Sequence, residues 1–389
     1  MDGSFIPLSV PNLAGRELEY VTSAIKDGWV STAGSFVGRF EKEIASYLGV
    51  SSAVACQSGT AGIHVALRLC GVRPGDMVVV PALTFIAAVN PVRYLGGEPV
   101  FIGCDESLCM DPRALASFCQ KECDFDGSAL VHHATGKRIR AIVVVHVFGN
   151  MADMPAILEI SKRYNLKVVE DATEALGTRY TKGVFAGRYA GTMGDFGVYS
   201  FNGTKIITTG GGGMLVAQNE SELEHARHLT TQAKSDPAYF EHDEVGYNYR
   251  MTNTQAAMGV AQLEQIESFI EVKKRNYDEY VRLAAEIEGI EFLPFREGTR
   301  SNRWFYAMLC EGSSEMRDHV IRGLADNGIQ ARPVWGIICD QVPYRGSVEF
   351  DADRARWSRE RIVNVPCSTD LSLHEVRRVM ATVQELVAQ

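Results

Sequence analysis

Lys205 is the residue of this chain best placed to do chemistry. It follows an apolar, strand-like run, Phe196-Gly-Val-Tyr-Ser-Phe201, and precedes Ile206-Ile-Thr-Thr209 and the glycines Gly210 to Gly213. A second strand-like run, Met214-Leu-Val-Ala217, comes next. A lysine held between two buried strands is a candidate amine nucleophile, because desolvation favours its neutral form. The glycines let the backbone pass close to a bulky ligand. Pyridoxal 5'-phosphate (PLP) is the ligand that most often needs such a lysine, as an internal Schiff base.

Two further segments offer what that cofactor requires. Leu166-Lys-Val-Val-Glu170-Asp171 reads as a buried strand ending in acids. A carboxylate beside the pyridine nitrogen keeps it protonated. Asp171 sits where a ligand-facing acid belongs, at the carboxyl end of a strand. Taken alone it reads equally well as the cap of a helix from Ala172 to Leu176. Ala53-Val-Ala-Cys-Gln57 reads as a short strand, followed by Ser58-Gly59-Thr60-Ala61 and a helix through Leu69. Strand, small polar turn and helix N-terminus form an anion site of backbone N–H groups and the positive dipole end. An ordinary N-cap has the same appearance. No Gly-Lys-Ser/Thr follows, so this is not a Walker loop, and the G-x-G-x-x-G of a dinucleotide fold is missing.

The elements that must position these residues alternate. Amphipathic helices are expected at Gly15 to Lys26 and Phe36 to Leu48. Strand-like runs recur at Val78-Val-Val80, Pro99-Val-Phe-Ile102, Ile142-Val-Val-Val145 and Val168-Val-Glu170, with helical patterns between them. These lie at Ala87 to Tyr94, Pro112 to Cys119 and Pro155 to Tyr164. Alternation predicts an α/β fold with a mostly parallel sheet covered on both faces. Lys121 to Arg140 is polar, with Asp-Gly and Thr-Gly pairs, and reads as an exposed loop or hairpin in which His132 and His133 are solvated. One long helix is expected over Thr252 to Phe269 and another over Val272 to Ile287. The tail reads as a smaller α+β unit, with strands at Trp304 to Leu309 and Ile329 to Pro333 and helices near Met316 to Asn327 and Leu373 to Val387. The expected division is residues 1–265, a large cofactor-binding domain, and residues 266–389.

Composition narrows the function classes. The 389 residues carry a net charge of −9 and are 46% hydrophobic, and no dense Lys/Arg run marks a nucleic-acid partner. No apolar stretch is long enough to span a membrane, and the first residues lack a signal-peptide pattern. The nine cysteines mostly sit in apolar runs, which fits reduced thiols in a cytoplasm. No C-x-x-C pair or H-x-x-x-H cluster is present, so no metal is expected.

Taken together, the motifs resemble the DegT-type sugar aminotransferases, PLP enzymes of the aspartate-aminotransferase fold. The resemblance runs over nearly the whole chain: Ile6-Pro-Leu-Ser-Val-Pro11, Gln57-Ser-Gly-Thr-Ala61, Pro81-Ala-Leu-Thr-Phe85, Val145-His-Val-Phe-Gly149, Glu170-Asp-Ala-Thr-Glu-Ala-Leu-Gly177, Gly194 to Phe201, Gly246-Tyr-Asn-Tyr-Arg-Met251 and Val365-Pro-Cys367. It implies that Lys205 forms the Schiff base and then moves protons, and that Asp171 pairs with the pyridinium. It also implies that Phe85 stacks on the ring and that Gly59, Thr60 and Ser200 bind the phosphate. Asn248 would reach the phosphate of a neighbouring subunit, giving a homodimer with sites at its interface. Arg250 is a candidate anchor for a substrate carboxylate or phosphate, and reads nearly as well as an ordinary salt bridge.

Glu174 departs from the Gln or His that many relatives carry three residues after the aspartate. It resembles the subgroup acting on 4-keto-6-deoxy-N-acetylhexosamine nucleotides in legionaminic- and bacillosamine-type pathways. Asn202 to Gly210, Ser301-Asn-Arg-Trp304 and Arg332-Pro-Val-Trp335 point the same way. The implied reaction is amino transfer from glutamate to a nucleotide-linked keto sugar, at C4 of a UDP-linked acceptor, in polysaccharide biosynthesis. Arg250, Arg303 and Arg332 are candidates for its diphosphate, since guanidinium binds phosphate bidentately; each reads equally as a surface or interface arginine. Alternatives are a dTDP- or GDP-linked 3- or 4-keto sugar, or a non-catalytic regulator on the same fold. A related dehydratase would carry histidine in place of Lys205.

Overall fold

The computed structural model describes residues 5–236 and 238–388. Met1–Ser4, the start of the segment read for a leader, lie outside the described residues. A ten-stranded sheet forms the centre. In chain order its strands are β1 (Val54–Cys56), β2 (Met77–Pro81), β3 (Glu98–Ile102), β4 (Cys123–Phe125), β5 (Leu130–His132), β6 (Arg138–Val145) and β7 (Lys167–Asp171). The short pair Arg179–Tyr180 (β8) and Thr299–Arg300 lies outside it. The strands Phe196–Ser200 (β9), Gly213–Ala217 (β10) and Glu349–Phe350 complete the sheet.

The spatial order is β1-β10-β9-β7-β6-β2-β3, then Glu349–Phe350 at the edge. From β9 to that edge the strands run parallel, whereas β1, β10 and β9 pair antiparallel. The parallel strands are covered on both faces, which is why they read as continuous apolar runs. All five residues of β2 are buried.

The register collects the chemistry at one end. Cys56 of β1 pairs with Gly213, Gly213 with Ser200, and Val198 with Asp171. The Ser58 turn, Ser200 and Asp171 therefore emerge side by side. Gly213 makes this possible, because a Cβ there would lie 2.6 Å from the Ser58 carbonyl and 2.7 Å from the Gly59 nitrogen.

A second, four-stranded antiparallel sheet has the order Ile290–Phe292, Tyr306–Cys310, Ile362–Val365, Arg332–Pro333. The helices Ser314–Asp326 and Leu373–Val387 bury residues in its core. The helix Ile266–Ala284 serves both cores: Ile266, Phe269 and Ile270 join the large one, and Tyr277, Tyr280 and Ala284 the small one. Ile6, from the start of the chain, also lies in the small core.

Several elements differ from the sequence expectation. The long helix expected over Thr252 to Phe269 is broken at Glu264–Gln265, giving Asn253–Leu263 and Ile266–Ala284. The Gln265 amide group turns back to the Ala261 carbonyl and across to Glu17, and its backbone N–H takes the i−3 carbonyl of Gln262. No helix follows Asp171; residues 172–178 are turns. The segment Lys121 to Arg140 is a hairpin, one of the two forms expected, and differs in that β5 pairs antiparallel with β6 and so joins the central sheet. His132 is not solvated: it is buried and stacked on Phe118, with ring centroids 5.9 Å apart. The strand expected from Trp304 begins at Tyr306, and the one expected from Ile329 shortens to Arg332–Pro333. Among the described residues, no helix is long and apolar enough to cross a membrane. All nine cysteines are unpaired and buried.

Candidate active site

A cavity of about 320 Å³ opens where the strand ends converge. Its walls bring together seven of the sequence candidates: Gly59, Thr60, Phe85, Asp171, Glu174, Ser200 and Lys205.

One wall is the start of the helix Gly59–Leu69. Ser58 caps it, its hydroxyl accepting from the Ala61 N–H at 3.1 Å. The N–H groups of the first turn have no intrahelical acceptor and make an anion cradle. Gly59 is fitted closely, since a Cβ there would lie 2.8 Å from the Thr173 methyl and 3.1 Å from the Ser200 Cβ.

The adjoining wall carries the acids. Asp171 is buried, and its carboxylate accepts from the Thr173 N–H at 3.0 Å. Burial pushes this carboxyl up, against the pull of Thr173 and Lys205. Glu174 is also buried; it accepts from the Phe148 N–H at 2.8 Å, and its other oxygen lies 3.6 Å from Lys205 Nζ. Burial raises Glu174 to about 7, opposed by Lys205 and the Phe148 N–H.

Behind this wall is a support. His146 Nδ1 accepts from the Ala152 N–H at 3.2 Å, so the ring proton is on Nε2 and donates to Glu170 at 2.9 Å. Glu170 is fully buried and also accepts from the N–H groups of Gly191, Met193 and Gly194. Four donors satisfy a carboxylate that burial would otherwise penalise. They fix the end of β7, and with it Asp171, whose side chain alternates to the cavity face.

Four candidates do not line the cavity. Asn248 is exposed, its backbone bridged to Thr231. The Arg250 guanidinium is engaged by Glu41 and by the Ala55 carbonyl at 3.2 Å, and Arg227 grips the same Glu41 at 2.9 Å. Arg250 therefore braces β1 from behind. Arg303 lies 5.4 Å from the ring centroids of Tyr277 and Phe295, drawn there by cation–π attraction. Arg332 is exposed on its short strand. Sequence reasoning missed Trp304, Phe305 and Trp335, which line the cavity with Thr173, Asn202 and Thr204. Asn302-Arg-Trp304 and Arg332-Pro-Val-Trp335 carry the signal in their indoles as well as in their arginines.

The residues fit PLP. An anion cradle, an amine and an aromatic face at Phe85, 53% exposed, share one cavity. Asp171 is a buried carboxylate held up by burial and bonded by one residue, and a cationic ring nitrogen is the partner that would satisfy it. The sequence profile of the DegT/DnrJ/EryC1/StrS aminotransferase family matches residues 11–384. The chain belongs to this family. As a member it is a PLP-dependent sugar aminotransferase. It is 37% identical over 331 residues to the putative pyridoxal phosphate-dependent aminotransferase EpsN of Bacillus subtilis (strain 168), covering 85% of this chain and 81% of that one. It is 36% identical over 384 residues to the GDP-perosamine synthase of Caulobacter vibrioides, covering 98% of both. Among solved structures, the aminotransferase TlmJ from Streptoalloteichus hindustanus superposes with a TM-score of 0.89 at 27% identity, covering 99% of each chain.

Proposed function

We propose that this family member transfers an amino group from glutamate to a nucleotide-linked keto sugar. The convergence of Lys205, Asp171 and the Ser58–Thr60 helix start on one cavity carries this reading. PLP supplies the electron sink that makes the carbon-bound proton removable. Lys205 would hold the cofactor, and its Nζ is the group placed to take and return that proton. Asp171 would keep a positive charge at the ring nitrogen. Gly59, Thr60 and Ser200 would hold the phosphate, and Phe85 would cover the ring face. Glu174, raised by burial to about 7, is protonated in part at neutral pH, which lessens its repulsion of an oxygen-centred charge beside Lys205.

Asn248 completes the neighbouring subunit's phosphate site, so the working unit is a homodimer. Its exposure outside this chain's own cavity supports that role. The domain division is proposed at residues 265/266. Buried, unpaired cysteines support work in a reducing cytoplasm.

For the acceptor we propose a UDP-linked 4-keto-6-deoxy-N-acetylhexosamine aminated at C4, supported by Glu174 and the motifs ending in Trp304 and Trp335. Of the three arginines, exposed Arg332 is the one proposed for the diphosphate. A second reading, a GDP-linked keto sugar, is favoured by the similarity to the GDP-perosamine synthase. A panel of UDP-, dTDP- and GDP-linked keto sugars with glutamate, resolved by mass and NMR, separates them. Preference for a GDP- or dTDP-linked acceptor lacking N-acetyl overturns the first reading. A colourless protein that cannot be reconstituted with PLP would instead indicate a regulator.

A further inference from the structure

The Trp304 side chain meets Lys205 and the residue before it. Lys205 Nζ lies 4.0 Å from the centroid of the indole ring. The indole Nε1–H donates at 2.6 Å to the carbonyl of Thr204, the residue just before the lysine. A cation over an indole face is attracted by the ring quadrupole, most strongly where water is excluded. Trp304 is buried, and the Lys205 side chain is 14% exposed.

Trp304 is itself held from several directions. Its N–H donates to Asn302 Oδ1 at 3.0 Å, and the Asn302 amide donates to the carbonyls of Glu174 and Leu176 at 2.9 and 3.0 Å. Its backbone carbonyl accepts from the buried Lys273 Nζ at 2.9 Å, which also donates to the Cys367 carbonyl at 2.6 Å. Its ring lies parallel to Phe305, with centroids 4.0 Å apart. A Cβ at Gly149 would fall 1.9 Å from Asn302 Oδ1, so the turn after β6 must be glycine for this clamp to close. Arg303, at φ 51°, turns the other way onto Tyr277 and Phe295. Three contacts on the indole and two on its backbone exceed what filling a wall requires.

We propose that Trp304 is a positioning residue for Lys205: its ring holds the ammonium in the cavity and its N–H fixes the loop that carries the lysine. The acids facing Lys205 are Glu174 at 3.6 Å and Asp171 from the end of β7, with His146 acting on Asp171 from behind. Trp304 is the uncharged member of this surround, and it favours a cation without offering a proton acceptor. The small-domain core, through Lys273, thereby sets the geometry of a lysine in the loop between β9 and β10.

Two variants separate the two contacts. Trp304→Phe keeps an aromatic face and loses the N–H, and Trp304→Leu loses both. In cofactor-free protein, amide hydrogen exchange of residues 202–208 is expected to rise about fivefold in both, the worth of one hydrogen bond, while β1 is unchanged. In PLP-loaded protein, the pH midpoint of the visible absorbance band is expected to fall by about one unit in Trp304→Leu, tenfold in the proton equilibrium, and to stay near wild type in Trp304→Phe. A wall residue with no tie to the lysine would alter packing and stability and leave that midpoint in place. An unmoved midpoint in Trp304→Leu overturns the role of the ring. If Trp304→Leu does not fold, Trp304→Phe decides: unchanged exchange over residues 202–208 overturns the proposal.

Discussion

Replacing Glu174 with Gln is expected to change how the stability of the cofactor-free protein depends on pH. Burial lifts the Glu174 carboxyl from an ordinary value of 4.5 to about 7. Between those values the folded protein holds a proton that the unfolded chain has already released. Stability therefore falls as pH rises through this window. The cost is absent below the unfolded value and complete above the folded one. Each pKa unit corresponds to about 1.4 kcal/mol, so the rise from 4.5 to about 7 corresponds to roughly 3 kcal/mol. The group is fully buried, so solvent does not screen this figure down.

Glutamine removes the titration and keeps a carbonyl for the Phe148 N–H. Urea unfolding at one fixed protein concentration, from about pH 4.5 to about pH 8, measures the effect. The variant is expected to gain on wild type across that range, by roughly 3 kcal/mol in all and mostly below neutrality. Parallel curves would refute the reasoning. They would mean that the carboxylate is ionised throughout, with Lys205 at 3.6 Å and the Phe148 N–H outweighing burial.

Four further outcomes are expected. Lys205→Ala should lower turnover at least about a hundredfold, the scale of a lost proton shuttle, with an unchanged melting curve; normal turnover would remove Lys205 from the reaction. Asp171→Asn should slow the chemical step about ten- to a hundredfold, the worth of a charged hydrogen bond, and an unchanged rate would leave Asp171 a turn-capping residue. Mixing inactive Lys205→Ala and Asn248→Ala subunits should restore activity, since one site of a mixed dimer then carries neither lesion; no recovery after proven subunit exchange would deny Asn248 a role across the interface. Gly59→Ala should weaken PLP binding about five- to a hundredfold by overpacking, because its Cβ would meet the Thr173 methyl at 2.8 Å. Adding Thr173→Ser removes that methyl and should recover part of the loss.

The site was legible in the sequence wherever a residue's role follows from its neighbours along the chain. Lys205 between two apolar runs, Asp171 closing a strand and Ser58–Thr60 opening a helix each carry their own local signature. The sheet order then brings them together through pairs such as Cys56 with Gly213 and Gly213 with Ser200. What the sequence hid is what depends on contacts across the fold. The charge of Arg250 suggested a substrate anion, yet Glu41, 209 residues earlier in the chain, occupies it. Arg303 and Arg332 stood beside the residues that do reach the cavity. The indoles beside them line the cavity, where an aromatic face attracts a cation without competing for its proton. The helix over Thr252 to Phe269 broke for the same reason. Gln265 is an acceptable helix residue by propensity, and only its bonds to Glu17 and the Ala261 carbonyl end the helix before it. The Asn302–Trp304 clamp combines both effects. Gly149 reads as a turn glycine, but its missing Cβ is what admits Asn302, and through Asn302 it governs where Trp304 and then Lys205 can lie.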